Sequence, residues 1–401
     1  MISVSQASEI IAEHVESLDA ERVSITDAAG RILAQTVSAE RAHPPFDRVT
    51  MDGVAIRWSE TLPKTLRIAG RQLAGEPAQT LPAGDCAVEI MTGAVLCEGA
   101  DTIIPVERYA TRRIDGETLL DLEAGYAPER GQFVHRAGSD HPAGTTLLQA
   151  GVCIGGAEMA ILHSAGNTMT DVRRMPRVAI VATGDELVAA GQPIAAHQIR
   201  LSNGPGIAAA LQQRGFTDCS THHLKDSREQ LTRGLSDLLA RHDMLVLSGG
   251  VSKGKADFIP EVLEALGVTR LFHFVAQRPG KPMWFGQGRQ GQLVFGLPGN
   301  PVSTLSCCRR YVVPALERMT GLDTYGPVTA KLAADWHFKP ELTAFVPVVI
   351  QPDNAGQLWA APLSTNTSGD FAALAGSHGF VELPAKRKSF AAGEAFPYYP
   401  W

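Results

Sequence analysis

The chain reads as an α/β plus β protein of several domains: a central parallel α/β domain, an all-β module before it and a small β domain after it. Three observations predict this. From Arg177 onward, short unbroken apolar runs alternate with amphipathic helical patterns, the signature of right-handed βαβ units. From about Val54 to Arg136, short strand patterns are broken by Gly and Pro. After Gly321 the helical period stops and short strands with turn residues return.

Ser5 to about Leu18 carries Ile10, Ile11 and Val15 at helical spacing, with Ser5 placed as its N-cap. Val23 to Val37 mixes a strand with a short helix. In HPPFDRVTMDGVAI, two prolines fix an extended entry and Asp52-Gly53 is a turn pair before Val54-Ala55-Ile56. Strands are then expected at Thr65–Ile68, Cys86–Ile90, Thr102–Pro105 and Leu119–Leu122. Met91-Thr92-Gly93-Ala94 reads either as a plain hairpin turn or as a loop offering a hydroxyl and N–H groups to an anion. In His135–Asp140, Arg136 and Asp140 flank a glycine and suggest a surface salt bridge.

In the α/β region, Arg177–Ala182 is a buried strand ending in Thr183-Gly184-Asp185-Glu186. Asn203 is expected to cap a helix with Pro205 in its first turn. Phe216–Leu224 ends in Lys225-Asp226, and Ser227 with Gln230 forms a capping box for the helix of Leu231, Leu235, Leu238 and Leu239. Met244–Leu247 runs into Ser248-Gly249-Gly250, and Asp257 opens a further helix. Leu271–Val275 leads to Arg278-Pro279-Gly280-Lys281-Pro282. Leu293–Leu297 leads to Pro298-Gly299-Asn300-Pro301, with Asn300 at an N-cap position. Strands at Val328–Leu332, Ala344–Ile350, Leu358–Ala361 and Phe380–Leu383 complete the C-terminal domain.

Of 401 residues, 44% are hydrophobic and 19% charged, enough for two to four domains. A net charge of −6 and a pI near 6.1 exclude a general nucleic-acid or membrane-surface binder, so an anionic substrate needs a local basic site. The six cysteines show no C-x-x-C, so no zinc or disulfide framework is implied, and Cys307-Cys308 read as packing residues. Glu9 and Glu13 break the apolar N-terminal pattern and no run is long enough to span a membrane. The expectation is a reduced, cytoplasmic protein.

Ligands of open parallel sheets bind outside the carboxyl ends of the strands. Those ends here alternate acids and bases: Asp185/Glu186, Asp226, Gly249-Gly250 with Asp257, Arg278/Lys281, and Pro298–Pro301. Arg278 and Lys281 are either a solvated basic turn or a seat for a tetrahedral oxyanion. The N-terminus of the helix after Asn300 suits an oxyanion as well. Carboxylates beside phosphate become useful when a hard divalent cation bridges them, which points to Mg²⁺ and a phosphorylated substrate. Asp257 has the competing role of a helix N-cap.

Together, PPFDRVTMDGVA (44–55), IMTGA (90–94), RAGSD (136–140), ATGDEL (182–187), SN (202–203), LKD (224–226), SGGVSKGKAD (248–257), RPGKP (278–282) and GLPGNPVS (296–303) resemble the molybdopterin molybdenumtransferase family, MoeA of bacteria and the E domain of gephyrin. The resemblance implies insertion of molybdate into adenylylated molybdopterin, with AMP released and Mg²⁺ required, by an elongated homodimer with a shared active site. The central domain is then a MogA-like molybdopterin-binding domain, the β module of the other subunit a lid, and the C-terminal domain barrel-like. The implied division is 1–43 with 138–172, then 44–137, 173–322 and 323–401. Asp52, Thr92, Asp140, Glu186, Asp226 and Asp257 match positions tied to activity, with Glu186, Asp226 and Asp257 as metal ligands. Substrate contacts fall to Asp185, Ser248, Gly249, Gly250, Ser252, Arg278, Lys281, Pro298, Gly299, Asn300, Pro301 and Ser303. Molybdopterin adenylyltransferase and proteins that mature molybdoenzymes are implied partners.

The chain departs from the family where Val49 and Val54 replace the usual Ser and Tyr, and where Arg278 replaces a lysine. Leu342 and Pro347 stand near two arginines that the family carries in its C-terminal domain. The resemblance therefore does not extend to molybdate docking by arginines of this domain. Two other readings compete: a non-catalytic dimeric scaffold of the gephyrin type, and molybdopterin adenylyltransferase, which is the α/β domain alone.

Overall fold

The computed structural model describes residues 1–250, 258–322, 326–364 and 367–401. The chain divides into two compact units, one of Met1–Ala34, Ala150–Gly155 and Thr170–Trp401, the other of Gln35–Gln149 and Gly156–Met169.

The first unit is built on a six-stranded sheet. Its strands are β1 (Val178–Thr183), β2 (Cys219–Leu224), β3 (Met244–Ser248), β4 (Thr269–His273), β5 (Trp284–Gln287) and β6 (Leu293–Leu297), in the spatial order β2-β1-β3-β6-β5-β4. Helices α1 (Asn203–Gln212), α2 (Arg228–Arg241), α3 (Ile259–Ala265) and α4 (Pro301–Cys307) connect or follow them. β1, β2, β3 and β6 pair in parallel, with Ser248 in register with both Ala182 and Leu297.

The purely parallel sheet expected from the sequence is corrected by β5, which runs antiparallel to both neighbours. Only residues 274–283 separate β4 from β5, too few for the crossover of a dozen or more residues that a parallel return needs. Two reversals leave β4 parallel to β6, so the turn carrying Arg278 and Lys281 still opens at the carboxyl edge.

Alternation along the buried strands sends side chains to both faces. Val178, Ile180, Met244 and Val246 pack on one side with Ile11, Ile207, Leu211 and Tyr311. Ala179, Val181, Leu245 and Leu247 pack on the other with Leu231, Leu235, Ile259 and Leu263. Each such Leu or Ile contributes about 1.5–3 kcal/mol through burial.

Capping departs from expectation at three places. The first helix, Val4–His14, is capped by Ser3 in a reciprocal box with Gln6, so Ser5 is not its cap. Ser202 is the N-cap of α1, and Asn203 is its first helical residue. Ser227 precedes α2 without a side-chain cap bond, so its box with Gln230 does not form. Asn300 is the N-cap of α4 as expected, with Pro301 its first helical residue, although its side chain makes no cap bond.

The C-terminal strands Val328–Leu332, Thr343–Pro352, Leu358–Pro362, Gly379–Leu383 and Ala395–Pro400 close on themselves, because Thr343–Pro352 pairs with both Leu358–Pro362 and Gly379–Leu383. Closure removes the exposed edges of a small sheet. Thr343–Ala344 also pairs in parallel with Gln277–Arg278 from the α/β region.

In the second unit, six strands form one sheet, with Gly53–Ile56 between Thr102–Pro105 and Cys86–Ile90. Gly53 is required where it crosses Ile104: a Cβ there would lie 1.9 Å from the Ile104 carbonyl oxygen. No helix among the described residues is long and apolar enough to cross a membrane.

Candidate active site

Ser248 ends the central strand, and the backbone turns at once through Gly249 (φ 100°) and Gly250 (φ 63°). Both conformations favour glycine. The space does too: a Cβ on Gly250 would meet Ile259 Cδ1 at 2.5 Å, and one on Gly249 the Thr183 carbonyl oxygen at 3.0 Å. The bare turn therefore lies directly against the end of β1, with Gly249 N–H donating to Leu297 O at 3.2 Å.

Asn203 ties the strand ends together. Its Nδ2 donates to Ser248 Oγ at 2.8 Å and to Gly299 O at 2.7 Å. The amide is spent on joining loops rather than on capping α1. Around the Pro298–Pro301 turn, Thr304 Oγ1 donates to Asn300 O at 3.0 Å and also to Pro298 O. Asn300 Nδ2 donates to Ser368 Oγ at 2.8 Å, and Val302 N–H to Ser368 O at 3.2 Å. One of the first-turn N–H groups expected to face an oxyanion is thus taken by the C-terminal barrel. Ser303 is buried behind this turn.

At the end of β1, Glu186 folds its carboxylate over Gly184, where an added Cβ would lie 2.5 Å from Glu186 Oε2. His223 Nε2 lies 2.8 Å from Gly184 O and joins the ends of β2 and β1. Asp185 follows Gly184, and Asp226 lies two residues beyond β2. Asp257 and Ser252 lie outside the described residues. Among the described residues, no three His, Cys, Asp or Glu side chains gather in a group able to hold a metal ion. Glu186 and Asp226 are hard oxygen donors of the type that suits Mg²⁺.

Arg278 and Lys281 line a cleft of about 500 Å³ with Pro298, Asn300, Ser303 and Ser368. The loop is held from beneath by Gln277, which is fully buried. Gln277 Nε2 donates to Gly280 O at 3.0 Å and lies 3.3 Å from Cys307 Sγ, while Tyr311 O–H donates to Gln277 Oε1. Burial pushes the Cys308 thiol up to about 12 and Cys307 higher still, so both are inert packing groups as expected. Leu342 and Pro347 line the same cleft and bring no charge to it.

In the second unit, Asp52 Oδ1 accepts from Thr92 Oγ1 and Thr92 N–H, each at 2.7 Å. These two bonds, the hydroxyl first, hold the Asp52 carboxyl below the usual carboxylate range. The expected Arg136–Asp140 pairing does not form. Arg136 pairs with Asp47, whose geometry suits it because Ala137 N–H donates to the same carboxylate at 2.8 Å. Asp140 instead faces two imidazoles, with His135 Nε2 at 2.9 Å and His43 Nε2 at 3.9 Å. The Thr92 and His135 segments flank Val49, which bonds to Gly93 N–H at 2.8 Å and pairs with Val134.

The sequence reading missed Gln277, His223, His135, His43 and Ser368. Their roles depend on partners distant in the chain, and only the proximity of His135 to Asp140 in RAGSD offered a local signal.

The chain matches three family descriptions in sequence: the MoeA N-terminal region (domain I and II) over residues 2–166, a probable molybdopterin binding domain over 179–318, and the MoeA C-terminal region (domain IV) over 329–401. It is 40% identical to a molybdopterin molybdenumtransferase of Synechocystis over 404 residues, covering 100% of both chains. It is 32% identical to a gephyrin of Dictyostelium discoideum over 80% of this chain and 50% of that protein. The fold matches the crystal structure of a molybdopterin biosynthesis MoeA protein from Pyrococcus horikosii with a TM-score of 0.83 and 30% identity, covering 100% of this chain and 99% of that one. The chain belongs to the molybdopterin molybdenumtransferase family.

Proposed function

We propose that this chain inserts molybdenum into adenylylated molybdopterin: molybdopterin-AMP and molybdate react to give the molybdenum cofactor and AMP. The observation that carries the reading is the arrangement Asn203 creates. Three strand-end loops are fastened into one floor, and that floor borders a cleft with Arg278 and Lys281.

The glycine turn at Gly249-Gly250 brings backbone close to the pyrophosphate, with Ser248, Ser252, Asp185 and the Pro298–Pro301 turn orienting the pterin side. Arg278 and Lys281 hold molybdate, one by a forked donor and one as a point charge. Glu186, Asp226 and Asp257 would hold Mg²⁺, which neutralises charge at the phosphate oxygens when bound. Asp52, bonded by the Thr92 hydroxyl and N–H, and Asp140, oriented by His135, are the N-terminal module's contribution. We read the enzyme as a cytoplasmic homodimer that shares its active site.

The adenylyltransferase reading is weakened because the cleft is finished by the C-terminal barrel, which a lone α/β domain lacks. The scaffold reading does not account for Glu186, Arg278 and Lys281, strand-end groups that have no ion pair among the described residues. The test is AMP release from adenylylated molybdopterin by the purified protein. Release that requires both molybdate and Mg²⁺ and is lost in Asp226→Ala and Asp257→Ala is expected. A wild-type protein that releases no AMP under these conditions removes the enzymatic reading.

A further inference from the structure

β2 is the outermost strand of the α/β sheet and lies beside β1, with Ala182 in register with His223 and Thr183 with Leu224. Where β1 ends, the chain turns through Gly184 with φ 140°, a conformation that favours glycine. The Gly184 carbonyl oxygen lies 2.8 Å from His223 Nε2. Leu187 N–H also approaches that oxygen, but at 3.5 Å, the outer limit of a hydrogen bond. A carbonyl oxygen only accepts, so the ring carries a proton on Nε2 and donates it. His223 is exposed, so this bond, rather than packing, is what the residue brings to the strand end.

Two groups of the site depend on the peptide that the bond fixes. A trans peptide points its C=O and its N–H in opposite directions. With the Gly184 carbonyl held toward β2, the Asp185 N–H points away from β2, the side on which β3 and its glycine turn lie. That N–H has no acceptor among the described residues. The Glu186 carboxylate rests over Gly184 itself, where an added Cβ would meet Oε2 at 2.5 Å and Oε1 at 2.7 Å. Rotation of the peptide therefore moves both the N–H and the surface that carries the carboxylate. Thr183 Oγ1 is buried without a hydrogen-bond partner among the described residues, so this hydroxyl adds no tie to the turn.

We infer that His223 is a positioning residue for the proposed reaction: through the Gly184 carbonyl it sets the Asp185 N–H and the Glu186 carboxylate toward the pyrophosphate end of the substrate. The inference rests on the proposed function for the identity of the substrate, and not for the coupling of His223 to the turn. A single neutral hydrogen bond adds little to global stability, whereas a small misplacement of a reacting or orienting group costs a large factor in rate. The effect of His223 is therefore read in orientation and not in unfolding.

The test compares wild type with His223→Leu, which keeps bulk and removes the donor, and with His223→Gln, whose amide nitrogen stands in for Nε2. Thermal melts check that both variants keep the fold. Three readouts are taken on the full chain: hydrogen exchange of residues 183–188 by mass spectrometry without ligand, equilibrium binding of AMP, and AMP release from adenylylated molybdopterin with kcat and KM resolved. His223→Leu is expected to speed exchange in this segment at an unchanged melting temperature, and to lower kcat and AMP affinity about tenfold each. The molybdate concentration for half-maximal release stays, and His223→Gln restores all three readouts. Wild-type kcat and AMP affinity in His223→Leu overturn the inference even where exchange is faster, because the bond is then structural only. A loss that His223→Gln does not restore overturns it as well. A wild type that binds AMP but releases none removes the enzymatic reading, and the inference then stands or falls on AMP affinity in the two variants. A wild type that neither binds nor releases AMP removes both.

Discussion

Asn203 Nδ2 lies 2.7 Å from the carbonyl oxygen of Gly299, a partner 96 residues further along the chain. The same nitrogen reaches Ser248 Oγ at 2.8 Å, so one amide fixes three loops at the carboxyl edge of the sheet. Asn203→Ala leaves both acceptors without this donor and is expected to cost about 1–3 kcal/mol of stability. The larger effect is on the substrate: loosened loops raise the concentration of adenylylated molybdopterin needed for half-maximal AMP release. Denaturant unfolding and steady-state kinetics read the two effects separately.

The Thr92 hydroxyl and N–H hold the Asp52 carboxyl below the usual carboxylate range. Thr92→Val removes the hydroxyl, the larger cause, and the Asp52 pKa rises toward its ordinary value. A depressed pKa keeps the carboxylate charged to lower pH, so its release moves the acidic limb of the AMP-release profile upward in pH. A pH–rate profile of the variant checks this, and an unmoved acidic limb would separate Asp52 ionisation from catalysis.

Asp243 precedes β3 and receives Arg174 at 2.8 and 2.9 Å and Arg177 N–H at 2.8 Å. Burial alone would raise its pKa, but the hydrogen bonds from Arg174 and Arg177 outweigh it and hold the carboxyl far below the usual range. The stabilisation is therefore present in full above the unfolded value of about 3.9 and is lost as pH falls through the lower folded value. Asp243→Asn is expected to cost about 1–3 kcal/mol at neutral pH. The gap between wild type and variant narrows on acidification below about pH 4. Urea unfolding at pH 7 and below pH 4 tests both parts.

Gln277 is buried with three partners, Gly280, Cys307 and Tyr311. Gln277→Leu leaves the Tyr311 hydroxyl without its acceptor and is expected to cost about 1–3 kcal/mol. Because Gln277 adjoins Arg278, molybdate binding weakens as well, without any change in the cleft's charge. Melting temperature and molybdate binding, measured on the same preparation, decide whether the two losses travel together.

The strand ends were legible because each combined an apolar run with residues that serve no packing purpose: Gly249-Gly250, Pro298-Gly299, Arg278 and Lys281 all follow such runs. The antiparallel β5 was not legible, since Trp284-Phe285-Gly286-Gln287 is short and its direction depends on loop length rather than on side-chain period. Asn203 looked like a cap because Asn at a helix start usually is one. Its true partners lie across the sheet, where local spacing gives no hint. The same holds for Arg136, whose near neighbour in sequence, Asp140, lost to Asp47 once Ala137 N–H had fixed that carboxylate. The acids Glu186, Asp226 and Asp140 were visible as residue types, but the histidines beside Asp140 and behind Gly184 were not visible as their partners.

Thr343–Ala344 is stitched to Gln277–Arg278 by main-chain pairing, so barrel and cation loop share a seam. Grafting the barrel of a relative onto this chain would transplant that relative's anion preference only where the graft restores the two-residue register. A graft that slips by one residue turns the side chains at the seam to opposite faces and spoils the seat while each half still folds.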